Sequence, residues 1–344
     1  MAGTANDQAD AAFMNTAFDP QTIKDAALRD HYYMLERRFS EIARFVERTY
    51  GLGDRKIAIG FVSSNQAGAT VKNIGDGYAI CISSALPQAL RLLFARLLAD
   101  RELLPWLPSN DGDRAGSQEI ELALNPADLT DRQSMHISNG PARRQVAEIL
   151  ADIAVNFVFL HELGHILAGH TDLPDTEGTL PEITEFSLVE IVEREPADQA
   201  RAWEYEADIV GSGLMNSQID TLIELARSEV GLSRQIFGPP QIAVEQCLSF
   251  AIIALYSLFR YLRGANLHLK LTGNHPDPLI RAFCVRDALF QATSNRHPVN
   301  RDLLEELLSA RFEEFDDALE AVGVLAGMEL NEGKRFGDPL RGAA

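Results

Sequence analysis

The sequence is poor in basic residues, and this limits the partners that the protein can bind. Lysine and arginine total 31 against 50 aspartates and glutamates, which gives the 344-residue chain a formal net charge of −19. Nucleic acids and anionic membrane surfaces are bound by basic patches, and no basic tract interrupts this acidic excess. The composition therefore argues against nucleic acid and against a membrane surface as partners.

Cysteine is also scarce. The three cysteines, Cys81, Cys247 and Cys284, are widely spaced, odd in number and without a C-x-x-C pair. This is not the pattern of a disulfide framework. The first residues lack a charged start followed by an apolar core, so no secretory signal peptide is expected. We therefore expect a reduced, cytoplasmic protein.

Long apolar runs are absent as well. The longest uncharged apolar run covers residues 246–259, which is shorter than the ~20 residues that span a bilayer. A buried helix is expected there, and no internal repeat is present. We expect a disordered N-terminus over residues 1–19, a single domain over 20–330 and a flexible tail over 331–344.

What is present predicts a mostly helical α+β fold. Helical spacing of apolar residues occurs over 20–50, 85–103, 141–169, 197–215, 219–230, 239–262, from 281 onward, 300–312 and 313–328. Two β-rich segments, 57–62 and 77–82, predict a small N-terminal sheet. Residues 105–140 and 171–196 are expected to be long loops, the first a functional lid or disordered and the second a surface connection with a short strand or helical turn.

One predicted helix carries candidate chemistry. Residues 157–170 read FVFLHELGHILAGH and contain His-Glu-x-x-His. Because residues four apart share a helical face, His161 and His165 can direct their imidazoles at one metal ion. Glu162 lies beside them, where a carboxylate can act as general base on a metal-activated water. Buried polar groups need a partner or a metal, so the motif predicts a catalytic Zn²⁺ site.

A catalytic zinc site needs a third protein ligand. Glu204 is the better candidate, because Asp208 follows it by one helical turn and can hydrogen-bond a ligand histidine. Apolar neighbours argue that this helix is packed rather than a solvated acidic face, and Glu206 is the rival ligand on it. His170 is a weaker candidate, because on a continuing helix it lies about 180° round from His161.

These elements together resemble a known family. HELGH on one helix, Glu-Tyr-x-Ala-Asp on a later one and His-Pro-x-x-x-x-Arg at 275–281 are similar to the gluzincin zinc metallopeptidases of the HtpX and CAAX prenyl protease kind. The resemblance covers about residues 55–290. That family often has membrane helices, so the chain is more similar to a soluble relative, or to a Lit-type zinc peptidase that cuts one specific host protein.

The resemblance implies a zincin-like core with a two-helix zinc site. It implies three zinc ligands: His161, His165 and Glu204. It also implies that Glu162 is the general base and that Asp208 supports a ligand histidine. His275 would hold the substrate or the developing oxyanion.

The sequence therefore predicts a zinc metalloendopeptidase that hydrolyses peptide bonds in a protein or peptide substrate. The alternative is a non-catalytic, zinc-stabilised regulatory or binding protein of gluzincin fold. It requires a closed site, with His170 or Glu206 as the fourth ligand. Residues 63–71 have two interpretations, as a sheet edge that binds extended substrate or as an ordinary turn and strand.

Overall fold

The computed structural model describes residues 17–64, 67–98, 140–173, 182–185, 197–218, 240–265 and 278–296. In these ranges the helices are α1 (Ala26–Thr49), α2 (Ala85–Leu97), α3 (Pro141–Leu167), α4 (Ala197–Asn216), α5 (Pro240–Ala265) and α6 (Pro278–Arg296). The strands are β1 (Lys56–Val62), β2 (Ala69–Asn73), β3 (Gly77–Ser83) and β4 (Glu182–Glu185). The prediction of a mostly helical α+β fold is confirmed.

Several predicted segments lie outside the described residues. They are residues 1–16, 101–139, 219–230, 300–312, 313–328 and the tail 331–344. The predicted loop 171–196 contains strand β4 and part of a short 3-10 turn, His170–Asp172.

The start of the described chain is ordered, whereas residues 17–19 were expected to be disordered. Ala17 forms an isolated antiparallel bridge with Val62. The backbone N–H of Phe18 donates to the carbonyl of Phe61 at 2.9 Å. These contacts attach residues 17 and 18 to β1.

The sheet has the strand order β1-β3-β2-β4. Strands β1 and β3, the two that the sequence predicted, are parallel, whereas β2 is antiparallel to both of its neighbours. Val71 of β2 faces Ile80 on one side and Ile183 on the other. For residues 69–71, the part of segment 63–71 that lies in β2, the ordinary strand is the correct interpretation, because β2 is paired along both edges and offers no edge to a substrate.

Helix α3 is the central helix. It packs against α2, α4 and α5 and against strands β2 and β3. Arg144 and Glu148 in its first half are exposed, whereas every residue from 153 to 166 is buried. In this buried part Phe159 stacks on Phe39 of α1 with ring centroids 4.3 Å apart. The polar side chains of the buried part have no access to solvent and must find partners inside the protein.

The apolar run 246–259 lies within α5, where all its side chains are buried. The expectation of a buried helix is confirmed. Within the described ranges, none of the helices is both long enough and apolar enough to cross a membrane. The three cysteines, all of them in described ranges, are not joined by disulfides.

Candidate metal centre

The candidate site lies where α3 and α4 pack backbone to backbone. A Cβ atom on Gly164 would lie 2.5 Å from the carbonyl oxygen of Ala207. A side chain at this position would push the two helices apart, so the approach requires glycine. This close contact brings Glu204, one turn before Ala207, against the two histidines of α3.

Three buried donors meet at this contact. The Nε2 atoms of His161 and His165 are 3.1 Å apart. Glu204 places Oε2 at 3.6 Å from Nε2 of His161 and Oε1 at 3.8 Å from Nε2 of His165. Tetrahedral zinc, with bonds of about 2.0–2.2 Å, separates its ligand atoms by about 3.3–3.6 Å. In the described part of the chain, this is the one group of three donors close enough to hold a metal ion.

The buried charge of the site also fits a divalent cation. Glu162, Glu204 and Asp208 are buried carboxyl groups, and Arg281 is a fully buried guanidinium. Counted at formal charge, these four groups sum to −2. Buried charge is costly unless it is paired or bound to a metal, and a divalent cation held by the three donors would match this sum.

Asp208 supports His161 from behind. Its Oδ1 lies 2.9 Å from Nδ1 of His161. The carboxylate also accepts from the hydroxyl of Tyr256 at 2.7 Å and from Nε and Nη2 of Arg281 at 2.7 and 2.9 Å. Burial by itself would raise the pKa of Asp208, but Arg281 and His161 hold it below its usual range. An ionised Asp208 keeps the His161 proton on Nδ1 and leaves Nε2 as the metal donor.

Arg281 joins this support to the ligand set. Its guanidinium also lies 2.8 Å from Oε2 of Glu204. The sequence marked Arg281 only as the last residue of the His-Pro-x-x-x-x-Arg element. It gave no signal for Tyr256, which lies in a uniformly apolar run. His275, the predicted oxyanion donor, lies outside the described residues.

His170 occupies a place that the sequence did not predict. The position opposite His161 was expected only for a continuing helix, and α3 ends at Leu167. Gly169 then adopts a left-handed φ of 78°, which reverses the chain. His170 returns to α3, and its Nδ1 lies 2.9 Å from Nδ1 of His165. His170 nevertheless lies outside the donor group, in agreement with its being the weaker ligand candidate.

One face of the His170 ring and its second nitrogen, Nε2, contact side chains of α4. Its ring stacks on Trp203, with centroids 5.1 Å apart and planes 17° apart. Its Nε2 lies 3.1 Å from Oε2 of Glu206. Burial lowers the pKa of His170, although Glu206 acts in the opposite direction. The ring is therefore neutral at neutral pH.

These contacts distinguish the candidate ligands. Glu204 faces the two histidines, whereas the side chain of Glu206 is 59% exposed and contacts His170 instead. Within the described residues, neither Glu206 nor His170 belongs to the donor group. A closed site with either of them as the fourth ligand is not the arrangement observed.

The turn that carries His170 is attached to the sheet through Asp172. Its carboxylate accepts from Arg55 at 2.7 Å, from Asn73 at 2.6 Å and from the hydroxyl of Tyr78 at 2.8 Å. Side chains from β2, from β3 and from the residue before β1 therefore fix the position of the turn that follows α3.

Comparison of the chain with models of known families, with curated proteins and with solved structures finds no match.

Proposed function

We propose that the protein is a zinc-dependent metalloendopeptidase of the gluzincin type, with a zincin-like core. The observation that carries the proposal is the convergence of His161, His165 and Glu204 from two packed helices, next to the buried Glu162. These three side chains would hold a Zn²⁺ ion, which would supply Lewis-acid polarisation of a peptide carbonyl and a water nucleophile of lowered pKa. The proposed substrate is a protein or peptide.

The chain's own residues divide the remaining work. Glu162 accepts the proton of the attacking water and passes it to the leaving amine. Asp208 holds His161 with its Nε2 directed at the metal. By the resemblance, His275 donates to the developing oxyanion, and such a donor is worth about 3 kcal/mol. A cytoplasmic location belongs to the same proposal and rests on the cysteine pattern.

The proposal is tested by replacing Glu162 with glutamine. We expect Glu162→Gln to keep wild-type zinc stoichiometry and to lose cleavage at least ~100-fold, because only the proton acceptor is removed. Zinc content by atomic spectroscopy and a proteome-wide search for new termini measure the two effects. Glu148→Gln, an exposed change on the same helix, is the matched control. Full cleavage by Glu162→Gln would end the proposed mechanism.

A non-catalytic zinc-stabilised regulatory protein is the second candidate, although neither His170 nor Glu206 supplies the fourth ligand that its closed site requires. The observation that favours it is burial, since His161, His165 and Glu204 are only 1%, 0% and 3% exposed. Chelation would then lower the melting temperature of the protein, while no new termini would arise in cells. New termini in a single host protein would instead support a Lit-type peptidase of narrow specificity.

A further inference from the structure

The inference concerns the ring nitrogen of His165 that faces away from the candidate metal. Nε2 of His165 lies among the donor atoms, 3.1 Å from Nε2 of His161. Nδ1 lies 2.9 Å from Nδ1 of His170. Two ring nitrogens at this distance share one proton, so one ring donates and the other accepts. The metal decides which one, because a metal-binding nitrogen carries no proton.

The geometry points to His170 as a positioning residue for His165, an inference that rests on the metal site of the proposed function. With Nε2 of His165 directed at the metal, its Nδ1–H donates to Nδ1 of His170. His170 then carries its own proton on Nε2 and donates it to Oε2 of Glu206 at 3.1 Å. The chain of hydrogen bonds orients the His165 ring and fixes its tautomer.

His170 is itself held by independent groups, which distinguishes a built contact from an accidental neighbour. Trp203 covers one face of the ring with nearly parallel planes. The left-handed Gly169 sets the direction from which His170 arrives. Asp172, two residues later, is hydrogen-bonded to Arg55, Asn73 and Tyr78. The ring therefore has one orientation, and that orientation presents Nδ1 to His165.

The test compares zinc affinities of the whole 344-residue chain, measured by competition with a chromophoric chelator. His170→Phe keeps a ring for Trp203 but removes the acceptor, and we expect its zinc affinity to fall about 10–100-fold. His170→Asn retains an amide oxygen near the position of Nδ1, and we expect it to restore most of that loss. His31→Phe, on α1 and beside Asp152, is the control and should bind zinc like the wild type.

Two further readouts separate positioning from a purely structural role. We expect His170→Phe to shift the visible absorption of the Co²⁺-substituted protein, whereas His170→Asn and His31→Phe should not. Long-range ¹H–¹⁵N correlation spectra of the wild-type zinc protein need no variant to fold, and should place the His170 proton on Nε2.

Two results overturn the inference and leave the proposed function standing. One is wild-type zinc affinity and Co²⁺ spectrum in His170→Phe, and the other is a His170 proton on Nδ1 in the wild-type zinc protein. Failure of the wild-type protein to bind zinc would overturn the proposed function itself.

Discussion

The two histidines of the candidate site are supported in different ways. Nδ1 of His161 contacts Asp208, a fully buried carboxylate that also accepts hydrogen bonds from Tyr256 and Arg281. Nδ1 of His165 contacts Nδ1 of the neutral ring of His170. We call the first set, Asp208 with Tyr256 and Arg281, the buried arm, and the second, His170 with Trp203 and Glu206, the outer arm.

The difference follows from where each arm ends. The buried arm ends in ion pairs inside the protein, where a low effective dielectric strengthens attraction and little solvent screens it. The outer arm ends at Glu206, whose side chain is 59% exposed and therefore screened by water and salt. The buried arm also connects three helices, α4, α5 and α6, whereas the outer arm connects one turn to α4. We therefore expect the buried arm to matter for folding and the outer arm to matter mainly for metal binding.

The largest effect is expected from Asp208→Asn. The amide keeps the shape but removes one of the two carboxylates that pair with the buried Arg281, the other being Glu204. Breaking a buried pair costs about 3–5 kcal/mol. The free energy of unfolding from urea denaturation measures this loss. Asp287→Asn, an exposed change on α6, should stay within about 0.5 kcal/mol of the wild type.

The pH dependence of stability sharpens the same comparison. The pKa of Asp208 is lowered in the folded protein, so its contribution is present at neutral pH. That contribution is lost as the pH falls below about 3.8, the ordinary value, toward the folded pKa. The acid-side loss should be smaller in Asp208→Asn. An unchanged acid profile in that variant would mean that the buried arm does not stabilise the fold.

The next largest effect on stability is expected from Glu245, a buried carboxyl that belongs to neither arm. Burial raises the pKa of Glu245 on α5 to about 7, partly offset by a hydrogen bond with Thr293. A carboxyl with a raised folded pKa stabilises fully below its unfolded value, about 4.5. This contribution is lost as the pH rises through about 7, by about 3 kcal/mol in all.

We therefore expect Glu245→Gln to unfold with less dependence on pH between 5 and 8. Urea denaturation at four pH values in this range measures the slope, and Glu41→Gln, exposed on α1, is the control. If the free energy of unfolding of Glu245→Gln changed with pH as steeply as that of the wild type, groups other than Glu245 would cause the pH dependence.

The smallest effect is expected from Glu206→Gln. Glutamine still accepts a hydrogen bond from His170, and exposed changes leave the free energy of unfolding within about 0.5 kcal/mol. We expect zinc affinity to fall only a few-fold, less than in His170→Phe, since the charge removed is screened. Chelator competition in low and high salt measures this. A destabilisation as large as that of Asp208→Asn would show that the two arms do not differ as argued.

Periodicity predicted the parts of the site that lie within single helices. His161 and His165 share a face because they are four residues apart, and Glu204 and Asp208 share another for the same reason. The mostly helical α+β class and the presence of β1 and β3 followed from apolar spacing and β-rich segments, whereas their parallel pairing did not. The features that were predicted are local properties, which each stretch of sequence carries by itself.

The strand order was not accessible to the same reasoning. A strand was expected within residues 63–71, where β2 begins, and a short strand or helical turn within 171–196, where β4 lies. Neither segment was placed in the sheet, in which β2 lies between β3 and β4. A short strand in a polar, glycine-containing segment has little pattern of its own. β2 pairs with β3 across a short turn, but its other partner, β4, is distant in sequence, so packing rather than periodicity places β2 between them.

The sequence by itself determined which residues could share a helical face, and so it supplied two histidines, a neighbouring glutamate and an acidic pair one turn apart. Only the tertiary structure decided that Glu204 rather than Glu206 faces the histidines, because that depends on how α4 is rotated against α3 at Gly164. It also brought in Arg281 from a distant helix. His170 reaches His165 because Gly169 breaks the helical periodicity from which its position was extrapolated.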